Sequence, residues 1–114
     1  MEKKIKKPWG YEILFAKTAK YAGKVLCIRQ GEELSFQYHK KKMETIFLFK
    51  GSLKIIYQKN GRRISFRLKR GKSFHIPPRM KHRFSALEDS FLFEVSTPHL
   101  KDVVRLEDKY NRIR

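Results

Sequence analysis

The chain has 114 residues, with 28 Lys and Arg against 11 Asp and Glu, a formal net charge of +17, and 40% hydrophobic and 13% aromatic residues. That length suits one domain burying about two-thirds of its unfolded surface, and the aromatic content excludes a disordered polycation. No apolar run approaches the ~18 residues of a membrane span, the opening MEKKIKKPWG lacks the apolar stretch of a leader, and the lone Cys27 excludes an internal disulfide or a cysteine metal knuckle, so the reducing cytoplasm is the expected compartment.

In chain order, residues 1–7 form a basic arm expected to fray, and residues 8–114 form the domain. Short strands are expected at 11–15, 24–29, 33–39, 44–49, 52–57, 62–68, 73–76, 82–86 and 91–96. Their spacing predicts an all-β sandwich or barrel. The clearest hairpin alternates Leu53, Ile55 and Tyr57, turns at Asn60-Gly61 as a type I′ pair, and alternates back through Ile64, Phe66 and Leu68. Pro77-Pro78 breaks any strand through His75 to His82, because Pro77 donates no ladder hydrogen bond. Residues 98–114 interleave Val103, Val104 and Leu106 with charges and are expected to form a short helix or an extended clasp. Trp9, Phe47, Phe49, Phe66, Phe74, Phe84, Phe91 and Phe93 are assigned to core and edge packing, Cys27 to a small buried position, and Lys40, Lys41 and Lys42 to a solvated turn.

Between Glu44 and Glu88 there is no acid, while twelve Lys and Arg residues accumulate. Such charge either keeps a small protein soluble or awaits an anionic partner. No helix-turn-helix, zinc-finger spacing or RNP-type motif accompanies it, so a small phosphorylated ligand ranks ahead of nucleic acid.

Period-two alternation puts Gln37 and His39 on one face of a strand. Glu44 follows across the turn 40–43 and is expected to return on the neighbouring strand. His82, after Gly71 and Pro77, could enter the same interior if the sheet closes. In Gly31, Gln37, His39, Glu44 and Gly51, and again in Gly71, Pro77, Arg79 and His82, the order and spacing resemble the two motifs of the cupin superfamily, with Gln37 in place of the first histidine and Arg79 in place of a glycine. The likeness covers about residues 24–96 and implies a single-domain jelly-roll barrel, the double-stranded β-helix.

The opening Lys7-Pro8-Trp9-Gly10-Tyr11-Glu12, the Gln37-x-His39 variant and the ending Val104 to Arg112 resemble, more narrowly, the cupin domain of type II mannose-6-phosphate isomerases. In that family the domain usually follows a GDP-mannose pyrophosphorylase domain. Where its closing pattern has Tyr-Gly-Arg, this chain has Tyr110, Asn111 and Arg112, and asparagine tolerates positive φ. The resemblance implies interconversion of mannose 6-phosphate and fructose 6-phosphate, a catalytic role for Arg112, and a dimer formed through the outer sheet.

Aldose–ketose exchange removes a proton next to a carbonyl, and a divalent metal on the sugar oxygens stabilises the resulting anion. Gln37, His39, Glu44 and His82 are the candidate ligands for Zn, Mn, Co or Fe. Gln37, a neutral amide, could instead orient a bound water. Glu94 and His75 are candidate bases, and Arg79, Lys81, Arg83 and Arg112 are candidates for the sugar phosphate. His75 and His99 otherwise read as ordinary surface residues. Two rival activities use the same residues: a non-haem iron oxygenase built on His39, Glu44 and His82, and a non-catalytic module that binds a sugar or anionic metabolite and docks a partner through its basic surface.

Overall fold

A computed structural model describes residues 2–113. The strands are β1 (Lys3–Lys7), β2 (Gly10–Lys17), β3 (Ala22–Ile28), β4 (Phe36–Tyr38), β5 (Glu44–Lys50), β6 (Ser52–Lys59), β7 (Arg62–Lys69), β8 (Ser73–Ile76), β9 (His82–Ala86), β10 (Ser90–Ser96) and β11 (Val104–Glu107), with no helix among the described residues. They form two antiparallel sheets, ordered β1-β2-β3-β10-β5-β8 and β11-β4-β9-β6-β7. No helix is long and apolar enough to cross a membrane among those residues.

Alternation along each strand builds the core. Leu26 and Ile28 of β3, Ile46 and Leu48 of β5 and Leu92 of β10 meet Leu53 and Ile55 of β6, Leu68 of β7 and Phe84 of β9 in one buried cluster between the sheets. Each such side chain contributes about 1.5–3 kcal/mol on leaving water. The β6–β7 hairpin has the predicted register, with Leu53 opposite Leu68 and Ile55 opposite Phe66. Its turn has Asn60 at φ 52° and Gly61 at φ 75°, the two left-handed residues of a type I′ turn.

Three expectations are corrected and one pair of alternatives is decided. The basic arm is ordered: Lys3–Lys7 pairs with β2 from Lys3 opposite Leu14 to Lys7 opposite Gly10. Trp9 is buried at the turn, and Gly10 passes so close to β3 that a Cβ would lie 2.0 Å from the Cys27 carbonyl oxygen. Lys3, Lys4 and Lys6 remain exposed on an edge strand, where charge discourages further pairing, while Lys7 turns to Glu12 at 3.4 Å. The tail takes the extended alternative, not a helix, because β11 supplies the missing ladder partners of β4, with Val104 opposite Tyr38 and Arg105 opposite Gln37. The strand expected at 33–39 shrinks to Phe36–Tyr38, with a single bridge between Glu33 and Ser85 before it. Finally, Phe47, Phe49 and Phe93 are not core: they point outward from the six-stranded sheet and are 41%, 59% and 40% exposed.

Candidate metal centre

The centre lies between the sheets at one end. After β4 the chain crosses from the five-stranded to the six-stranded sheet over residues 39–43, so Glu44, at the head of β5, faces His39 from the opposing sheet instead of a neighbouring strand. His82 opens β9, next to β4, with Gln37 opposite it in register. His39, Glu44 and His82 are all buried, and one ligand atom from each lies within 4.8 Å of the others.

Both imidazoles are oriented by main-chain carbonyls. His39 Nδ1 donates to the Asp102 carbonyl at 2.5 Å and His82 Nδ1 to the Met80 carbonyl at 2.8 Å. Donation through Nδ1 leaves both Nε2 atoms as acceptors. They stand 3.7 and 3.8 Å from the two carboxylate oxygens of Glu44, and His82 Nε2 is buried without a hydrogen-bond partner. Burial pushes the His82 imidazole down to about 4, so it is neutral at ordinary pH. Two imidazole nitrogens and one carboxylate, converging with a nitrogen unpartnered, are built for a divalent metal. Gln37 Oε1 accepts from Ser35 Oγ at 3.2 Å on the wall of the same site.

Lys42 is not the solvated residue its sequence context predicts. It is 5% exposed, and its ammonium lies 3.1 Å from Glu94 Oε2 and 2.8 Å from Glu44 Oε2, between the two carboxylates. The Asp102 carboxylate sets this inward course by accepting the backbone N–H groups of Lys40, Lys41 and Lys42. Burial opposes the charge on Lys42, and the two carboxylates outweigh it and raise its pKa. Glu94, in phase with buried Leu92 on β10, points inward too, and burial followed by the nearby Glu44 charge raises its pKa.

A cavity of about 140 Å³ opens onto Gln37, His39, Lys42, Glu44 and Glu94. Of the four cations assigned to phosphate, only Arg112 lines it; besides Lys42, the other cations that do are Lys7, Lys24 and Arg105. Lys24 is in phase with Leu26 and Ile28 on β3 and pairs with Glu12 at 3.0 Å, and Arg105 Nε is buried without a partner. Arg83 points out of the sheet towards Glu33 at 3.3 Å, because it alternates with buried His82 and Phe84. Arg79 lies exposed in the β8–β9 turn and Lys81 precedes β9, both off the cavity wall. His75 is exposed beside Thr45 Oγ1 at 2.9 Å, and His99 is exposed beside Thr97 Oγ1 at 3.0 Å, so neither is a base for this site.

A family model described as a cupin domain matches residues 24–95. The chain belongs to the cupin family. No curated protein matches it significantly in sequence. Among solved structures, this cupin is similar to oxalate decarboxylase from Bacillus subtilis, at 16% identity over 92% of this chain and 30% of that one with a TM-score of 0.79. It is similar to KdgF from Halomonas sp., at 19% identity over 87% and 88% with a TM-score of 0.71, and to CapF, at 18% over 94% and 35% with a TM-score of 0.76. The chain thus spans under a third of the oxalate decarboxylase chain, and these likenesses establish a shared fold.

Two non-glycine residues hold left-handed backbone near the site. Arg79 holds φ 71° and donates its N–H to the His39 carbonyl at 2.6 Å, tying the second motif to the first. Asn111 holds φ 57°, as expected of an asparagine in that turn. Arg112 beyond it grips Asp108 through two hydrogen bonds at 2.9 and 3.0 Å, which hold the Asp108 carboxyl down at about 2.

Proposed function

We propose that this cupin is a metal-dependent isomerase of a sugar phosphate, with mannose 6-phosphate and fructose 6-phosphate as its substrate pair. The observation that carries the reading is the buried carboxylate of Glu94 in the same small cavity as His39 and Glu44, under a wall containing Lys7, Lys24, Arg105 and Arg112. A divalent ion held by His39, Glu44 and His82 supplies Lewis-acid polarisation of the sugar oxygens. Glu94 moves the proton beside the carbonyl, its raised pKa making it a stronger base than an exposed carboxylate. Arg105 and Arg112, brought to the cavity by the C-terminal clasp, hold the phosphate, to which guanidinium forks are matched. The resemblance of the Trp9 and Tyr110 to Arg112 segments to mannose-6-phosphate isomerases supports the same assignment.

The test is a coupled assay for mannose 6-phosphate conversion with protein loaded in turn with Zn, Mn, Co and Fe, beside His39→Ala. Turnover that needs metal and disappears in the variant is expected. Metal-loaded protein without turnover refutes the substrate. The two-histidine, one-carboxylate set also favours a second reading, an iron-dependent oxygenase, for which oxygen uptake with Fe²⁺ is the assay.

The proposal extends to a homodimer. The outward positions of β3, β5 and β10 carry Val25, Thr45, Phe47, Phe49, Phe91, Phe93 and Val95, with Lys50 at one end over the Phe91 ring, on a chain of net charge +17. Two copies meet with least repulsion through this largely apolar face, in a self-complementary pair.

A further inference from the structure

Lys42 and a divalent ion would be drawn to one oxygen. Glu44 Oε2 lies 3.7 Å from His39 Nε2, on the ligand side of the centre, and it is also the atom that Lys42 Nζ approaches at 2.8 Å. The same ammonium lies 3.1 Å from Glu94 Oε2, to which it donates. The ammonium therefore has two berths, and only the one on Glu94 survives if Glu44 turns to a metal. Asp102 keeps the ammonium in place, because its carboxylate binds the main chain of Lys42 and its carbonyl binds the ring of His39. A single residue of the clasp thus aims both the competing cation and a ligand. The exposed neighbours Lys40 and Lys41 have no such role.

We propose that Lys42 is a resident cation that competes with the divalent metal for Glu44, and that Glu94 is the berth to which it retreats, so the centre binds metal weakly and exchangeably. The inference rests on the metal-binding part of the function proposed above and is independent of the substrate. A unit positive charge beside a divalent ion in a poorly solvated pocket opposes binding strongly. Glu94 lessens the opposition by drawing that charge away.

The test is calorimetric titration of metal-stripped protein with Mn²⁺ and with Co²⁺, with thermal melts to confirm that each variant is folded. Lys42→Met should bind both metals at least about tenfold more tightly than wild type. Glu94→Gln should weaken binding in the wild-type background, and this loss should shrink by more than half in Lys42→Met, since Glu94 acts through the lysine. If Lys42→Met does not fold, Lys42→Gln removes the charge while keeping a polar end, and the same gain is required of it. Unchanged or weaker affinity in the folded lysine variant overturns the proposal, as does an equal effect of Glu94→Gln in both backgrounds. Failure of wild-type protein to bind either metal refutes the centre itself. Saturable, His39-dependent binding without a gain on removing Lys42 refutes only the lysine's role.

Discussion

Strands β5 and β10 lie side by side, and the two faces they present invert the usual rule in opposite senses. Inward, Glu44 and Glu94 are buried among Ile46, Leu48 and Leu92; outward, Phe47, Phe49, Phe93 and Val95 stand in solvent. A buried carboxylate and an exposed aromatic face are each unfavourable in isolation, and each implies an occupant. For the inner face part of that occupant is already present, since Lys42 bridges the two carboxylates. For the outer face the proposed occupant is a second copy. The same alternation that pushes Phe93 out carries Glu94 in, so both features follow from one register.

The inner face is broken most sharply at the ligands. His82→Ala and Glu44→Gln should each lower metal affinity by more than about a hundredfold, since even loss of a supporting group around a metal typically costs 10–100-fold. Metal should raise the melting temperature of wild type by mass action, and this rise should vanish in both variants. A thermal shift that persists in His82→Ala would remove that residue from the centre.

Neighbouring residues on β10 separate the two faces next. Leu92→Ala, at a position without exposure, should cost about 2–5 kcal/mol in denaturant unfolding. Phe93→Ser, at 40% exposure, should cost the folded protomer under about 1 kcal/mol and act instead on association. With Phe47→Ser it should shift the species seen by light scattering from twice the chain mass to 13.7 kDa. Wild type at 13.7 kDa at every concentration would sink the dimer.

The legible parts of the molecule were those encoded by local period. Residues 73–76 and 82–86 form strands at the bounds that alternation and Pro77-Pro78 predict, and His39, Glu44 and His82 converge as the likeness to the two cupin motifs implies, with Glu44 coming from the opposing sheet. Lys42 was illegible because its burial depends on Asp102, 60 residues away, while its own neighbours are lysines. The phosphate candidates Arg79, Lys81 and Arg83 have the right charge for a phosphate, yet alternation turns Arg83 outward and the other two lie off the cavity wall. Lys24, in phase with Leu26 and Ile28, carried a readable signal as a charge on an apolar face. Arg105 carried none, because its place follows from the pairing of β11 with β4, and nothing local specifies that partner.

The smallest effects concern acid, and they separate the His82 side of the centre from the clasp. His82 has a folded pKa of about 4, below its ordinary value of 6.5, because burial disfavours the imidazolium. It therefore contributes stability that is complete above pH 6.5 and is lost as pH falls through 4. Asp102, held down at about 2 from 3.8 by the N–H groups of Lys41, Lys42 and Lys40, contributes above pH 3.8 and loses its contribution as pH falls through 2, the window shared by Asp108. In metal-free protein the stability lost between pH 6.5 and 4 should thus be shared by wild type and Asp102→Asn, while the slope between pH 4 and 2 should be shallower in the variant. The variant retains the carbonyl that orients His39 and loses only the carboxylate that turns Lys42 inward. A variant curve parallel to wild type below pH 4 would show that the carboxylate does not hold the turn, and Lys42 would then need another cause for its burial.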